Sequence, residues 1–378
     1  NSENKWRTTT RSLRNNMKMR KKSGFGRRSA FLCCLLVASF SAQPFLRAQA
    51  PSTQKVATIQ LSKEVREAIS EGLAFLAKTQ NSNGSWGDKH PVADTSLALL
   101  AFMLQGHVPG RGDYGNTMDR GIAYIVKVGK EGNAGYLGTP SHHGGMYEHG
   151  LAILALSEAW GQSTNRDLRN TLKRAVDITI RAQNRHAQSK GGGWRYNPEP
   201  RDADLSMTVM HTVALNSAKE AGISVPDETL DRAINYVLYC QEETSGGFGY
   251  SGPSGPGFAR TAAGVMSLLM CGVDANHPAY PAVTRGMRFL DQYPTSKFTG
   301  GSHYLYANYY AIQCMYQTGT AQFNEYYTQI MYSLLDPKRR RSDARGKYWS
   351  IKEGDTYSTA MAILILGVPY RFLPIYQR

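Results

Sequence analysis

The sequence predicts an all-α chain of six stacked helical hairpins, and three observations predict it. A two-helix unit recurs about every fifty residues, a glycine–aromatic turn joins its helices, and the two helices differ in polarity in the same sense each time. The period is the strongest of the three. Aromatic anchors stand at Trp86, Tyr136, Trp194, Phe248, Phe298 and Trp349, separated by 50, 58, 54, 50 and 51 residues.

The first unit reads AISEGLAFLAKTQ (Ala68–Gln80), NSNGSW to Trp86, then DTSLALLAFML from Asp94. The second has GIAYIVKVG, GNAGY to Tyr136, and EHGLAILAL from Glu148. The third has AVDITIRAQ, GGGW to Trp194, and DLSMTVMHTVAL from Asp204. The fourth has AINYVLYCQ, GGFGY around Phe248, and RTAAGVMSLLM from Arg260. The fifth, least faithful, has GMRFLDQY, Phe298 before a Gly-Gly, and YANYYAIQCMY from Tyr306. The sixth has YTQIMYSLL, GKYW to Trp349, and DTYSTAMAILIL from Asp355.

First helices carry charge on one side, as Lys63, Glu64, Arg66 and Glu67 do before the apolar stripe. Second helices are nearly uncharged, the mark of a helix buried all round. One wet and one dry helix cannot bury their faces alone, so neighbouring hairpins must stack. An open solenoid satisfies this pattern, and so does a ring with dry helices inside. Six units without distinct polar caps favour the ring.

The turns resemble those of the prenyltransferase and squalene-hopene cyclase repeat superfamily. Gln80–Trp86 fits its Gln-x(2–5)-Gly-x-Trp turn, and QEETSGGF (Gln241–Phe248) fits with Phe for Trp. The third copy has Gln183 with an insertion before Trp194, while Gln188 stands six residues ahead of it. The resemblance covers roughly residues 60–370. It implies an (α/α)6 toroid, a closed barrel of six helical hairpins, in which the Gln amide stacks on the indole and ties helix ends together. It says less about activity, since one fold hosts many chemistries.

In a ring, the second-helix starts Asp94, Glu148, Asp204, Arg260, Tyr306 and Asp355 gather around the mouth of a central cavity. His142, His143, His149, His211, His303 and Tyr357 stand near them. An Asp before an apolar helix is also a preferred cap, worth about 1 kcal/mol, so Asp94 and Asp355 read either as caps or as binding residues of the mouth. Glu148 and Arg260 are poor caps and read as binding residues together with His149. Squalene-hopene-type cyclases carry Asp-x-Asp-Asp, whose middle acid protonates an alkene. DADL has Asp202 and Asp204 of that motif but Leu205 in its last place, so the resemblance offers Asp204 as acid, Asp202 beside it and His211 as support. The same Asp204 suits a cap or a ligand-positioning residue. Tyr306, Tyr309 and Tyr310 suit a hydrocarbon pocket, stacking on sugars, or a toroid core.

Other chemistries fit less well. The Asp-x-Cys of zinc prenyltransferases and the Gly-Cys-Gly-Glu-Gln thioester of complement-like toroids are absent. HHGGMYEH (His142–His149) matches no standard zinc spacing, so neither a metal nor another cofactor is expected. The chain of 378 residues has a net charge of +15, but residues 1–50 hold 11 of the 44 Lys/Arg and 1 of the 29 Asp/Glu. The remaining 33 against 28 gives no basis for nucleic-acid binding. That stretch reads as an extension and a secretory signal: MRKKSGFGRRS from Met19, the apolar Ala30–Ala42, and Ala48-Gln49-Ala50 before Pro51. The apolar run is too short for a stable membrane span. Residues 51–378 are then a single exported toroid domain with three isolated cysteines, Cys240, Cys271 and Cys314. Lys338–Arg341, KRRR, reads as a solvated loop.

Three functions stay open. One is a terpenoid cyclase-like enzyme, an isomerase or lyase, acting on a hydrophobic polyprenyl substrate. Another is a toroid scaffold holding a ligand or protein partner, and the last is a polysaccharide lyase or hydrolase with a sugar-like ligand.

Overall fold

The computed structural model describes residues 62–131, 134–139, 144–186, 190–293, 303–319, 322–351 and 353–370. The expected signal over 1–50, His142, His143, Gln188 and Phe298 lie outside them. Among the described residues there are twelve α-helices and one two-stranded hairpin. The odd-numbered helices are α1 (Lys63–Lys78), α3 (Gly115–Lys130), α5 (Leu168–Arg181), α7 (Asp227–Tyr239), α9 (Tyr280–Asp291) and α11 (Gln322–Leu335). Alternating with them are α2 (Pro91–Leu104), α4 (Gly145–Ala159), α6 (Leu205–Glu220), α8 (Phe258–Met270), α10 (Tyr304–Thr318) and α12 (Asp355–Leu366). The antiparallel strands β1 (Arg340–Asp343) and β2 (Gly346–Trp349) precede α12.

The two kinds of helix bury different amounts of surface. In α1 the buried residues are Val65, Ala68, Ile69, Gly72, Leu73, Phe75 and Leu76, a stripe at spacings of three and four. Every residue of α2 from Thr95 to Leu104 is buried, and so is every residue of α12 from Ser358 to Leu366. Some buried hydroxyls of the inner helices bond back to the carbonyl four residues earlier, Ser96 to Val92 in α2 at 2.7 Å and Ser267 to Ala263 in α8 at 2.8 Å, which offsets the cost of burying them. The inner helices pack in sequence, α2 on α4, then α6, α8, α10 and α12, and α12 packs on α2. The circuit of contacts returns to its start.

One turn geometry recurs between the helices. The backbone N–H of Trp86 donates to Thr95 Oγ1, that of Trp194 to Thr208, that of Phe248 to Thr261 and that of Trp349 to Thr359, at 3.0–3.3 Å. The indole N–H of Trp86, Trp194 and Trp349 donates to a carbonyl on the preceding outer helix, at Leu76, Thr179 and Leu334. In the second unit the buried anchor is Leu137 rather than Tyr136, and its N–H donates to His149 Nδ1 at 2.9 Å. A histidine and a leucine there replace the usual threonine and aromatic ring.

The glutamines tie helix ends together, as the resemblance implies, through hydrogen bonds of the amide. Gln183 Nε2 donates to Gly192 O and to Thr229 O in the next outer helix, both at 2.8 Å, while Arg232 donates to Gln183 Oε1 at 2.8 Å. Gln80 makes the same bonds to Gly84, Thr117 and Arg120, and Gln241 to Gly246, Ala282 and Arg285. In these three units the amide therefore ties the turn to the following hairpin. After the arginine comes a small residue: a Cβ on Gly121 would lie 2.9 Å from Trp86, and one on Gly286 3.1 Å from Phe248.

The same contact joins the last unit to the first. A Cβ on Gly72 would lie 2.9 Å from Trp349. The residue before it, where α3, α5, α7 and α9 have arginine, is Glu71, and it accepts from Arg340 and Lys347 at 2.7 Å. KRRR is thus part of a structural seam rather than a merely solvated loop. Arg340 lies over the Trp349 ring at 4.9 Å and Arg339 over Tyr304 at 4.3 Å.

Candidate active site

The N-terminal ends of all six inner helices line one large cavity of about 1350 Å³. Its depth is apolar, with Leu97, Leu100, Leu154, Met210, Val213 and Met361, and seven tyrosines stand in its wall. The cavity thus combines an apolar depth with polar groups near the rim.

Helix starts decide which polar groups arrive there. In α2 the N-cap is His90, with Pro91 first in the helix, so Asp94 lies one turn inside and is no cap. The backbone of Gly87 makes room for it, because a Cβ there would fall 1.8 Å from Asp94 Oδ2. Glu148 occupies the matching place in α4. Its Oε2 accepts from the N–H and hydroxyl of Thr139 at 2.8 and 2.9 Å, and Oε1 lies 3.3 Å from His90 Nδ1. Burial, then the negative charges of Glu148 and Asp88, push the Asp94 carboxyl up from 3.8 to about 7.

Taken from the anchor hydroxyl, Asp94, Glu148 and Arg260 each stand one residue before Thr95, His149 and Thr261. Asp204 and Asp355 stand four residues before Thr208 and Thr359, a full turn earlier. The row read along the sequence therefore mixes two levels of the ring. Asp355 opens α12 behind the N-cap Gly354, so it is no cap either, and it accepts from Arg345 Nη1 at 2.9 Å. Asp94, Glu148, Arg260, Tyr306, Tyr309, Tyr310 and Asp355 all line the cavity, with His303 and Tyr357.

Asp202, Asp204, His211 and His149 do not line it. Asp202 is exposed and pairs with Arg195 Nε at 3.2 Å. Asp204 is fully buried and caps α6, accepting from Met207 N at 2.9 Å. Ser206 Oγ donates to its Oδ1 and Arg195 Nη1 to its Oδ2, each at 2.5 Å. These three contacts occupy both carboxyl oxygens. The network nevertheless reaches the cavity wall, since Ser206 Oγ meets Tyr147 OH at 2.6 Å and Arg195 donates to Tyr250 OH at 3.0 Å. His149 spans Leu137 N and Ala175 O, and burial pushes it down to about 4. His211 packs 5.6 Å from Trp194 and is likewise lowered by burial.

Tyr147, Tyr196 and Tyr250 were not singled out in the sequence. Tyr147 could have been, since it directly precedes Glu148; the other two sit in turns that no helical period marks. Tyr306 stands edge-on to Tyr310, with ring centres 4.9 Å apart, and its buried hydroxyl has no hydrogen-bond partner among the described residues. Among the described residues no cluster suits a metal ion, and no helix is long and apolar enough to cross a membrane.

In sequence the chain matches no protein-family model and no curated protein. In structure it resembles the type II terpene cyclase MstE from Scytonema, with 14% identity, 82% of this chain and 98% of that one covered, and a TM-score of 0.54. It resembles cellobiose 2-epimerase from Bacillus thermoamylovorans over 80% and 98%, with 12% identity and a TM-score of 0.57. The GH76 alpha-mannanase of Bacteroides thetaiotaomicron gives 10% identity, 81% and 95%, and 0.56. The fold is thus a terpenoid cyclase-like α/α toroid, a scaffold on which enzymes of both isoprenoid and sugar chemistry are built.

Proposed function

We propose that this toroid is an enzyme that draws an isoprenoid-like chain into its cavity and transfers a proton at the mouth through Asp94. The observation that supports this reading is a half-buried carboxyl, without a hydrogen-bond partner among the described residues, at the rim of a mainly apolar cavity. Near pH 7 such a group is present both as acid and as base, so it can give a proton and recover one. Glu148, held in place by Thr139, is one of the groups that raise Asp94 and so favours return of the proton to it. The faces of Tyr306, Tyr309 and Tyr310 supply negative quadrupoles toward positive charge developing on the substrate.

In this reading Asp204 is a positioning residue. It acts through Ser206 on Tyr147 and through Arg195 on Tyr250. The leader pattern before Pro51 adds export, which N-terminal sequencing of the secreted chain checks.

Incubation of the purified protein with farnesol and geranylgeraniol, followed by mass spectrometry of the products, tests the activity. Conversion should occur and should fall at least 100-fold in Asp94→Asn, with ligand binding kept, on the scale of losing one general acid–base group. An unmodified isoprenoid pool together with turnover of a mannoside or cellobiose would overturn the reading in favour of a sugar enzyme. No binding of either class would leave a scaffold.

A further inference from the structure

Charge is distributed unevenly round the rim. The α12, α2 and α4 side carries five carboxylates, Asp88, Asp94, Glu148, Glu353 and Asp355, offset by Lys89 and His90. Among the described lining residues, the α6, α8 and α10 side carries no carboxylate at all; its ionisable groups are Arg260, His303 and tyrosines. Arg260 is exposed to the cavity and forms no ion pair among the described residues. Two glycines of the preceding turn flank it: a Cβ added at Gly257 would lie 3.5 Å from its Nε and one at Gly255 3.7 Å from its Nη1.

Its place in the ring is informative. Arg260 precedes Thr261 as Asp94 precedes Thr95, so the two occupy the same level of the inner wall. In the circuit α2, α4, α6, α8, α10, α12, helix α8 is three steps from α2 in either direction. The guanidinium and the Asp94 carboxyl therefore face the mouth from opposite sides. An uncompensated arginine presents a planar fork matched to an oxyacid.

We infer that Arg260 is a subsite for an anionic head group, so that the ligand is an amphiphile ending in a carboxylate or phosphate. This rests on the apolar-ligand reading above but not on Asp94 chemistry. The anion docks at Arg260, the chain fills the apolar depth, and the part of the ligand across the mouth meets the carboxylate side. The carboxylates there repel a second anion, which fixes one orientation.

Titration calorimetry with farnesol, farnesoate, farnesyl phosphate and farnesylamine tests it on the full chain. Farnesoate or farnesyl phosphate should bind at least 10-fold tighter than farnesol, the better of the two identifying the head group. Arg260→Gln should bring farnesoate and farnesyl phosphate down to the affinity of farnesol, removing that preference, while Arg260→Lys keeps part of it. Equal binding of acid, phosphate and alcohol, or tighter binding of the amine, overturns the subsite while the apolar cavity stands. If none of the four binds, the apolar-ligand reading falls and the subsite falls with it.

Discussion

Asp94 is the residue where placement and chemistry meet. Its carboxyl has an ordinary value of 3.8 and lies at about 7 in the fold, raised first by burial and then by Glu148 and Asp88. Below about pH 4 folded and unfolded chains both hold the proton. Between pH 4 and 7 only the folded chain does, so stability falls as pH rises through this window and levels off above it. Asn mimics the neutral form. Asp94→Asn should therefore be more stable than the parent by about 1–2 kcal/mol at pH 8 and equal to it near pH 4, read from denaturant midpoints at the two pH values. The residue types at the mouth were legible in the sequence, but their levels were not. Asp94 and Asp204 both precede apolar runs, and only the bonds from Trp86 N to Thr95 and from Trp194 N to Thr208 show that they stand a turn apart. The Asp-x-Asp pattern drew the eye to the carboxylate that caps α6, while Asp94, four residues inside its helix, looked like a cap.

At the scale of the element, the turn is the unit that repeats. Gly192 has φ +112, a conformation that L side chains rarely adopt, and a Cβ there would fall 2.1 Å from Arg232 O. It also presents the carbonyl that Gln183 binds. Gly192→Ala combines backbone strain with a steric clash and should cost about 3 kcal/mol or more, seen as an early unfolding midpoint with an unchanged m-value. The glutamine, glycine and aromatic residue were readable because the turn is short and their spacing is nearly constant. The arginine that completes the bond lies 40, 49 or 44 residues on, in the next hairpin, as Arg120, Arg232 and Arg285 do relative to Gln80, Gln183 and Gln241. A pair so distant becomes visible only once the stacking is known. Yet the sequence carried a trace of it, since a charged residue followed by glycine or alanine recurs as Glu71-Gly72, Arg120-Gly121, Arg174-Ala175, Arg232-Ala233 and Arg285-Gly286. The second unit hid its anchor because Tyr136 is the larger residue, but its neighbour Leu137 is the one fully buried.

At the scale of the whole toroid, the relation between hairpins is cyclic. Gly121 meets Trp86 of the unit before it, and Gly72 of the first unit meets Trp349 of the last. Phe75 stacks on Tyr348 with ring centres 4.3 Å apart, and Glu71 takes Arg340 and Lys347 where other units use a glutamine–arginine pair. Ion pairs here do what amide bonds do elsewhere, and the β-hairpin that supplies them was invisible to a search for helical periods. In an open stack, a lesion in a terminal hairpin frays that end alone, because each unit is supported only by its neighbours. In a chain whose last unit packs on its first there is no such end. Gly72→Val forces a side chain into the 2.9 Å gap to Trp349 and should lower stability by about 2–3 kcal/mol. Tryptophan fluorescence, which includes Trp86 and Trp349, and far-UV circular dichroism should then shift together in guanidinium, as one transition. Separate transitions in the variant, with helix lost at the ends first, would mean that the seam does not couple the hairpins. The cavity would then rest on stacking within the ring rather than on its closure.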